Sequence, residues 1–511
     1  PGSMAPTLMG RHKEFTCPQC GFVFAVNAAE EVEGEPPRRP VLAGTCVNCR
    51  HQAVKLDAES SYKGDRILVS MFPYDLPFLP GARPPDRWDV VVFHYPEQPE
   101  VSYIKRLVGL PGEAIRIHHG DVYVRRPGET EFRLERKPLD RMRAMQIAVY
   151  DDRCRPRAFR DRVEWRRWRS DAPGWTEPEE NRSLFRCEAS PEGWSELRYR
   201  HLVPEPEQWE SVLNDRAPAR PPQATLITDF YSYNTTIPNS HSDSSVWYQP
   251  HWVGDLTLEA DLDVESDSGE VRLELVKGGL KHACTIDLAN GRARFTRGPE
   301  VLLEVDTPLV GKGRRRVEFA NVDDRLTLVV DGRSVAGPGV EFDRGDEVPV
   351  PTEADLSPAA IAVKGGVVSA SDLVLKRDIY YTQHPGYTDY DSVWDGRQPR
   401  RPSELFDFLA DPSRFPGLAR VRSEEFQLGD DRYMMMGDNS PRSKDSRGWT
   451  SQDRDWDVVD RKAWEVPRSL VTGKAFFVYW PHGVPFGPAI RFGRDLNIPF
   501  RPYFERMRWI R

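Results

Sequence analysis

Proline is the feature that most limits what this chain of 511 residues can fold into. The chain contains 45 prolines, nearly twice an average share of about 5%. Because proline fixes φ and lacks a backbone N–H, it favours strands, turns and linkers over long helices. Only the stretch around Ser403 to Ala410, just after Pro402, has a plainly helical pattern. At about 150 residues per domain, we expect three or four mainly β domains.

Residues 250–377 carry the clearest strand pattern. Apolar residues alternate with polar ones in two successive runs: Leu256, Leu258, Ala260, Leu262 and Val264, and then Val271, Leu273 and Leu275. The dipeptide Asp331-Gly332 is a strong hairpin signal. Alternating strands at regular spacing are typical of a β-sandwich.

The strand signals elsewhere are shorter. Residues 64–124 contain β-branched runs punctuated by Pro and Gly, with a predicted hairpin turn at His119-Gly120. Residues 130–228 are rich in Arg, Trp and Pro and show little periodicity. Their arginine cluster, residues 153–169, is either a solvated surface with aromatic anchors or a surface for anionic lipid headgroups.

Charge argues against a nucleic-acid binder, and hydropathy argues against a membrane-spanning helix within the sequence as given. The net charge is −8, from 71 basic and 79 acidic residues, which argues against a dedicated nucleic-acid binder. No apolar run approaches the roughly 20 residues of a membrane-spanning helix. The sequence opens at Pro1 rather than at a methionine, so a segment preceding Pro1 stays open.

A lysine inside an apolar strand is the first candidate for catalysis. Strand alternation places Lys105 on the opposite face from Ile104 and Arg106. If Lys105 points inward, burial lowers its pKa and the neutral amine becomes a general base. The alternative is an ordinary lysine on an edge strand. Ser3 is a candidate nucleophile because a Ser-Lys pair is a known variant of the serine triad.

Three segments together carry a resemblance to a known family. They are Gly-Ser-Met-Ala-Pro-Thr-Leu at residues 2–8, Tyr-Ile-Lys-Arg-Leu-Val-Gly-Leu-Pro-Gly-Glu at 103–113, and Gly-Asp-Asn-Ser-Pro-Arg-Ser-Lys-Asp-Ser-Arg-Gly-Trp at 437–449. They resemble the signature boxes of bacterial type I signal peptidases, which are membrane-anchored serine proteases. The resemblance extends to residues 64–69 and 88–93 and follows the order of the family. The resemblance implies an enzyme that removes signal peptides from secreted preproteins without a catalytic cofactor.

The resemblance implies a role for each matching residue. Ser3 would be the nucleophile, and its backbone N–H would supply one oxyanion donor. Lys105 would be the general base, and Ser443 would hydrogen-bond and orient its amine. The residues that would support the site are Asp445 and Arg447, as an ion pair, and Asp438 and Asn439, which would fix the turn.

Two positions refine the resemblance. The family usually carries Ser or Thr two residues before the nucleophile, and its hydroxyl helps to build the oxyanion hole. Here that position is Pro1, which has no hydroxyl, so about 10²–10³ in rate is at stake. Lys105 points to the bacterial type, since relatives in the endoplasmic reticulum carry His there. Self-cleaving repressors of the same Ser-Lys fold lack the third box.

Insertions account for most of the remaining chain. The predicted organisation is a split catalytic β-domain formed by residues 1–10, 61–127 and 428–511, a four-cysteine insertion at 11–60, an irregular insertion at 128–249, a β-sandwich at 250–377 and a return segment with a short helix at 378–427. The sandwich resembles the concanavalin or laminin-G type. The size of these insertions resembles signal-peptidase-like proteins of planctomycete-type bacteria.

The four-cysteine insertion predicts a zinc-ribbon-like module. The metal ligands would be the two Cys-x-x-Cys pairs, Cys17, Cys20, Cys46 and Cys49. Four thiolates suit structural tetrahedral zinc and leave no open position for hydrolysis. Disulfides are the alternative, because the resemblance places the domain in an oxidising compartment. Cys154 could pair with Cys187, whereas Cys284 is expected to be buried in a strand.

Two hypotheses follow. The first is a signal peptidase at the bacterial cytoplasmic membrane, with its catalytic domain on the extracytoplasmic side, a membrane surface and signal peptides as partners, and an anchor preceding Pro1. The second is an inactive or specialised scaffold that acts as a protein- or carbohydrate-binding module. The first predicts that Ser3 Oγ and Ser443 both approach the Lys105 amine.

Overall fold

The computed structural model describes most of the chain. The described residues are 2–33, 40–54, 61–71, 83–171, 173–178, 183–235, 251–345, 347–385, 389, 402–449, 462–481, 483–492 and 496–511. Among them strands predominate and helices are short, which confirms the predicted mainly β fold.

The elements are numbered in chain order. The first part of the chain forms β1 (His12–Thr16), β2 (Val23–Asn27), α1 (Glu30–Glu33), β3 (Ala43–Thr45), β4 (Gln52–Val54), β5 (Arg66–Ser70), β6 (Val90–Tyr95), β7 (Gln98–Gly109), β8 (Ala114–His118) and β9 (Asp121–Arg125). The middle part forms β10 (Arg133–Leu134), α2 (Leu139–Met145), β11 (Ile147–Asp151), β12 (Trp168–Arg169), β13 (Trp175–Thr176), β14 (Leu184–Glu188), β15 (Ser195–Tyr199), α3 (Pro206–Leu213), β16 (Leu256–Val264), β17 (Glu270–Lys277), β18 (Leu280–Asp287), β19 (Arg292–Arg297), β20 (Glu300–Asp306), β21 (Gly313–Val322), β22 (Arg325–Val330), β23 (Arg333–Ser334), β24 (Val340–Glu341), β25 (Ala359–Lys364) and β26 (Val367–Arg377). The last part forms α4 (Pro402–Leu409), β27 (Glu424–Gln427), β28 (Arg432–Met436), β29 (Val466–Pro467), β30 (Val471–Trp480), β31 (Gly483–Phe492), β32 (Leu496–Pro502) and β33 (Arg508–Trp509).

Two large sheets form the predicted sandwich. One has nine strands, in the order β13-β14-β26-β16-β21-β22-β23, with β11 added to β26 and β24 to β22. The other has seven strands, in the order β12-β15-β25-β17-β18-β19-β20. Alternate residues of both sheets, such as Leu258, Phe319 and Leu273, share one buried core. At the β22–β23 hairpin Asp331 and Gly332 both have positive φ, as a type I′ turn requires.

The irregular insertion contributes to this sandwich. Strands β11, β13 and β14 join the nine-stranded sheet, and β12 and β15 join the other. The expected boundary at residue 250 therefore does not coincide with a boundary of the sheets. Periodicity missed these strands because they are only two to five residues long and arginine and tryptophan residues interrupt their apolar pattern.

A separate seven-stranded sheet carries the candidate catalytic lysine. Its order is β29-β28-β7-β6-β30-β33, with β5 added to β30. Strand β7 lies between β6 and β28, with Val91 opposite Lys105 and Met436 opposite Arg106. The pairing with β28 ends at Arg106, so Lys105 is paired with β6 alone. Its burial, however, argues against a solvated lysine on an open edge. The β8–β9 hairpin belongs to a neighbouring sheet, β10-β9-β8-β27, that packs under the same region.

Four of the eight arginines in residues 153–169 are paired with neighbouring carboxylates. Ion pairs join Arg153 to Asp151, Arg155 to Asp152, Arg166 to Glu177 and Arg169 to Asp171, at 2.6, 2.6, 2.8 and 2.9 Å. These contacts favour the solvated-surface interpretation over the lipid-binding one. Within the described part of the chain, none of the helices has the length and apolar character needed to traverse a bilayer.

Candidate active site

Ser3 lies in a short 3-10 turn, Gly2–Met4, at the edge of the catalytic sheet. The following residue, Met4, is fully buried with Leu8, Val90 and Ala475, so apolar packing fixes the turn against β6 and β30. The Ser3 carbonyl accepts a hydrogen bond from the backbone N–H of Asn439, at 3.0 Å. The chain start and the third box, more than 400 residues apart, therefore meet at this serine.

Lys105 projects from β7 towards this turn. Its side chain is 5% exposed, and its Nζ donates a hydrogen bond to Ser3 Oγ. Burial lowers the pKa of Lys105 to about 8, because desolvation penalises the ammonium form; the Asp445 carboxylate opposes this shift and the Arg447 guanidinium adds to it. About a tenth of the amine is therefore unprotonated at neutral pH, far more than for an ordinary lysine, and this form is the general base.

Ser443 lies beside this pair without the expected contact. Its Oγ is buried and has no hydrogen-bond partner among the described residues. The structure therefore does not show the predicted hydrogen bond between Ser443 and the Lys105 amine, although an amine that bonds Ser3 has capacity for a further partner. Gly437 lets the segments come this close, since a Cβ there would lie 2.2 Å from Ser443 Oγ and 2.4 Å from the Ser3 carbonyl oxygen.

Asp445 and Arg447 lie together as a fully buried ion pair, with 2.6 Å between Oδ2 and Nη2. Arg447 also donates to the Thr382 carbonyl and to Ser440 Oγ, at 2.6 and 2.7 Å, and Asp445 accepts the Gly437 N–H at 2.9 Å. Burial opposes ionisation of Asp445, but the charge and hydrogen bonds of Arg447 outweigh it, so the pKa of Asp445 lies below its ordinary value. The pair thus holds the third box in place.

A second buried ion pair joins Asp438 to Arg106, which the sequence left without a role. Two hydrogen bonds of 2.7 and 2.6 Å connect the carboxylate to Nε and Nη2 of Arg106. Thr7 Oγ1 donates to the same carboxylate at 2.5 Å. The signal for Arg106 was available, because adjacent charges at 105 and 106 on opposite faces of an apolar strand require both faces to have polar partners.

Asn439 connects this network to a residue of the large insertion. Its side-chain Nδ2 donates to the Gly2 carbonyl at 3.3 Å and to Asn234 Oδ1 at 2.8 Å. Asn234 Nδ2 donates back to Asn439 Oδ1, also at 2.8 Å. No sequence pattern marked Asn234, which lies in the irregular insertion at residues 128–249.

The four predicted metal ligands converge in the cysteine module. Their sulfurs lie within 4.8 Å of one another, with 3.5 Å between Cys17 and Cys49 and 3.6 Å between Cys20 and Cys46. All seven cysteines are free. A tetrahedral zinc with Zn–S bonds of about 2.3 Å places its sulfurs about 3.8 Å apart, so the four residues fit the metal and not a pair of disulfides.

A buried charge next to this cluster fits the same conclusion. Arg50 follows Cys49 directly, and its guanidinium stacks 3.5 Å from the Phe230 ring centroid. Within the described residues it has no carboxylate ion-pair partner. A buried unpaired cation is costly, and a dianionic four-thiolate zinc centre would supply the missing counter-charge.

The remaining cysteines are separate. Cys187 lies in the sandwich core, whereas Cys154 packs against the four-cysteine module. The suggested pairing of Cys154 with Cys187 is wrong, because the two thiols belong to different cores. Cys284 is fully buried in β18, as expected.

Comparison with known proteins identifies one segment of the chain. The family described as "Signal peptidase, peptidase S26" matches residues 51–150, which include Lys105. Signal peptidase I of Pseudomonas aeruginosa is 49% identical over 59 residues, covering 10% of this chain and 21% of that protein. Signal peptidase I of Rickettsia rickettsii is 42% identical over 67 residues, covering 12% and 25%. The chain thus spans about a fifth to a quarter of the length of these relatives.

The similar solved structures resemble this chain only loosely. A carbohydrate-binding module from Bacillus subtilis is 12% identical with a TM-score of 0.25, covering 41% of this chain and 95% of that one. A galectin from Caenorhabditis elegans is 18% identical with a TM-score of 0.18, covering 24% and 83%. The description of a sandwich therefore rests on the strand order and the shared core given above.

Proposed function

We propose that this chain is a serine endopeptidase that removes N-terminal signal peptides from exported preproteins. The observation that carries the proposal is the hydrogen bond between the buried Lys105 amine and Ser3 Oγ. The signal peptidase match over residues 51–150 supports the substrate class. With its large insertions, the chain would resemble the planctomycete-type form of the enzyme.

Ser3 and Lys105 perform the acylation step. The neutral Lys105 amine takes the hydroxyl proton as Ser3 Oγ attacks the scissile carbonyl carbon. The backbone N–H of Ser3 donates to the oxyanion that forms. When the C–N bond breaks, the Lys105 ammonium gives its proton to the leaving amine, which is the new N-terminus of the mature protein. Pro1, the position of the usual second oxyanion donor, lies outside the described residues.

The same amine performs deacylation. Lys105 takes a proton from water, and the resulting hydroxide attacks the acyl ester on Ser3. The ester C–O bond then breaks, and Ser3 Oγ regains a proton from the Lys105 ammonium. Asp445–Arg447 and Asp438 hold the surrounding segments. Ser443, whose buried hydroxyl has no partner among the described residues, would orient the amine once Ser3 is acylated.

The surroundings complete the proposal. Structural zinc bound by the four cysteines would stabilise the module at residues 11–60 and take no part in hydrolysis. The active site would face the extracytoplasmic side of the bacterial cytoplasmic membrane, where signal peptides emerge. No nucleic-acid partner is proposed for a chain of net charge −8.

Cleavage of a purified preprotein tests the activity. We expect Ser3→Ala and Lys105→Ala to reduce kcat by about 10³-fold or more, because each removes an essential part of one unit. Lys312→Ala, a change in an exposed sandwich lysine, is the matched control and should leave kcat unchanged. Full activity in either active-site variant, or no cleavage by the parent chain, would contradict the proposal and favour the binding-module alternative.

A further inference from the structure

A turn of the large insertion reaches the segment that carries Ser3. Ser232–Asn234 forms a 3-10 turn, and its central residue, Tyr233, is fully buried. The turn lies between the loop at residues 2–10 and the strand β3 of the four-cysteine module. It is far from Ser3 in the sequence and belongs to no signal peptidase motif that the sequence revealed.

Tyr233 closes the two ends of the loop that carries Ser3. The Gly10 N–H donates to Tyr233 Oη at 3.1 Å. A Cβ on Gly2 would lie 3.1 Å from the same oxygen, and a Cβ on Gly10 would lie 2.6 Å from the Gly2 nitrogen. The absence of a Cβ at Gly10 allows its backbone to approach that of Gly2. The Tyr233 hydroxyl therefore lies beside both ends of the loop.

Asn234 acts on the same loop through Asn439. The reciprocal amide pair fixes which way the Asn439 side chain faces. In that orientation its Nδ2 also donates to the Gly2 carbonyl, while its backbone N–H donates to the Ser3 carbonyl. Without Asn234, the amide of Asn439 loses the partner that sets its orientation.

The turn itself is anchored at both sides. Ser232 Oγ donates to the Thr45 carbonyl at 2.7 Å, and the Thr45 N–H donates to Thr235 Oγ1 at 3.0 Å. Thr45 directly precedes Cys46. On the other side, Arg377 at the end of β26 donates to the Phe230 carbonyl at 3.1 Å. The turn is therefore held between the four-cysteine module and the sandwich.

We propose that Asn234 and Tyr233 are positioning residues that hold Ser3 in line with the Lys105 amine. They act through Asn439, Gly2 and Gly10 and do not touch the reacting atoms. This inference rests on the proposed function, since it takes Ser3 as the nucleophile. It gives the large insertions a part in catalysis, because a misplacement of about 1 Å can cost up to 10²-fold in rate.

Two measurements on Asn234→Ala and Tyr233→Phe test the proposal. We expect kcat to fall about tenfold in Asn234→Ala and less in Tyr233→Phe, with KM unchanged, since substrate contacts remain. We also expect faster amide hydrogen exchange in residues 2–10 of both variants. Asn214→Ala, which removes an exposed amide at the end of α3, is the matched control and should change neither quantity.

The exchange measurement keeps the inference separate from the proposed function. If the parent chain cleaves a preprotein, an unchanged kcat in Asn234→Ala overturns the positioning role, as does a loss of activity that only follows a lowered Tm. If the parent does not cleave, the proposed function fails, and exchange alone decides. Faster exchange in residues 2–10 then supports the positioning role, and unchanged exchange overturns it.

Discussion

The sandwich and the catalytic sheet bury different kinds of side chain. The sandwich encloses leucine, valine and phenylalanine from both of its sheets. Ion pairs such as Arg292 with Asp306 lie on its outside, although the pair of Lys277 with Asp255 is buried. The catalytic sheet instead buries charges between its strands and the third box, including Arg106 with Asp438. The stability of an apolar core falls gradually as side-chain volume changes. A buried charge, in contrast, becomes strongly destabilising when its single partner is removed.

Removal of one buried partner should therefore have the largest combined effect, because it lowers both stability and activity. Asp438→Ala leaves the Arg106 guanidinium buried without its carboxylate, which should cost about 3–5 kcal/mol of the free energy of unfolding. Activity should fall with it, because Thr7 also loses its partner. Urea denaturation measures the cost, and Asp306→Ala, at an exposed sandwich pair, is the control. A loss below about 1 kcal/mol in Asp438→Ala would show that the two regions do not differ in this way.

A core substitution in the sandwich separates stability from chemistry. Phe319→Ala removes a fully buried ring and should lower the free energy of unfolding by about 3–5 kcal/mol. Since Phe319 is remote from Ser3, kcat per folded molecule should stay within about twofold of the parent. Denaturation and active-site titration measure the two quantities. A larger fall in kcat would mean that the sandwich core itself controls the site.

The smallest effect is a shift in pH dependence. Cleavage requires the unprotonated Lys105 amine, so kcat/KM should rise with pH and level off above its pKa of about 8. The Asp445 carboxylate raises the pKa of Lys105. Asp445→Asn should therefore lower it, and the rising limb should move to lower pH by about one unit. A shift to higher pH would contradict the assignment of this limb to Lys105.

The sequence predicted the parts of the site that belong to contiguous sequence motifs. The resemblance to signal peptidases implied the roles of Lys105 and of the Asp445–Arg447 pair, whereas strand alternation alone left the role of Lys105 open. The structure brings these residues together with Ser3. Asn234 and Thr382 were not predictable, because their contacts depend on how distant segments meet. The same cause explains the missing Ser443 contact. The partner of the Lys105 amine depends on how the side chains pack, which the spacing of the motifs does not determine.

The fold shows the same division. The long alternating strands β16, β17, β21 and β22 were predictable because each repeats its pattern over six or more residues. The two-residue strands β12 and β13 were not, since their pairing partners supply most of the information. Cysteine spacing predicted that four sulfurs could share one metal. The sequence did not predict that Arg50 would be buried beside them without a carboxylate partner, because this depends on the folded surroundings of Arg50.

The meeting of Ser3 with Asn439 also orders events during synthesis. Ser3 is made early, yet its carbonyl partner and the Asp438 that binds Thr7 are more than 400 residues later in the chain. Domains that leave the ribosome first fold first, so the cysteine module and the sandwich can form before the third box exists. The Ser3 segment therefore gains its complete support only after the third box has been synthesised.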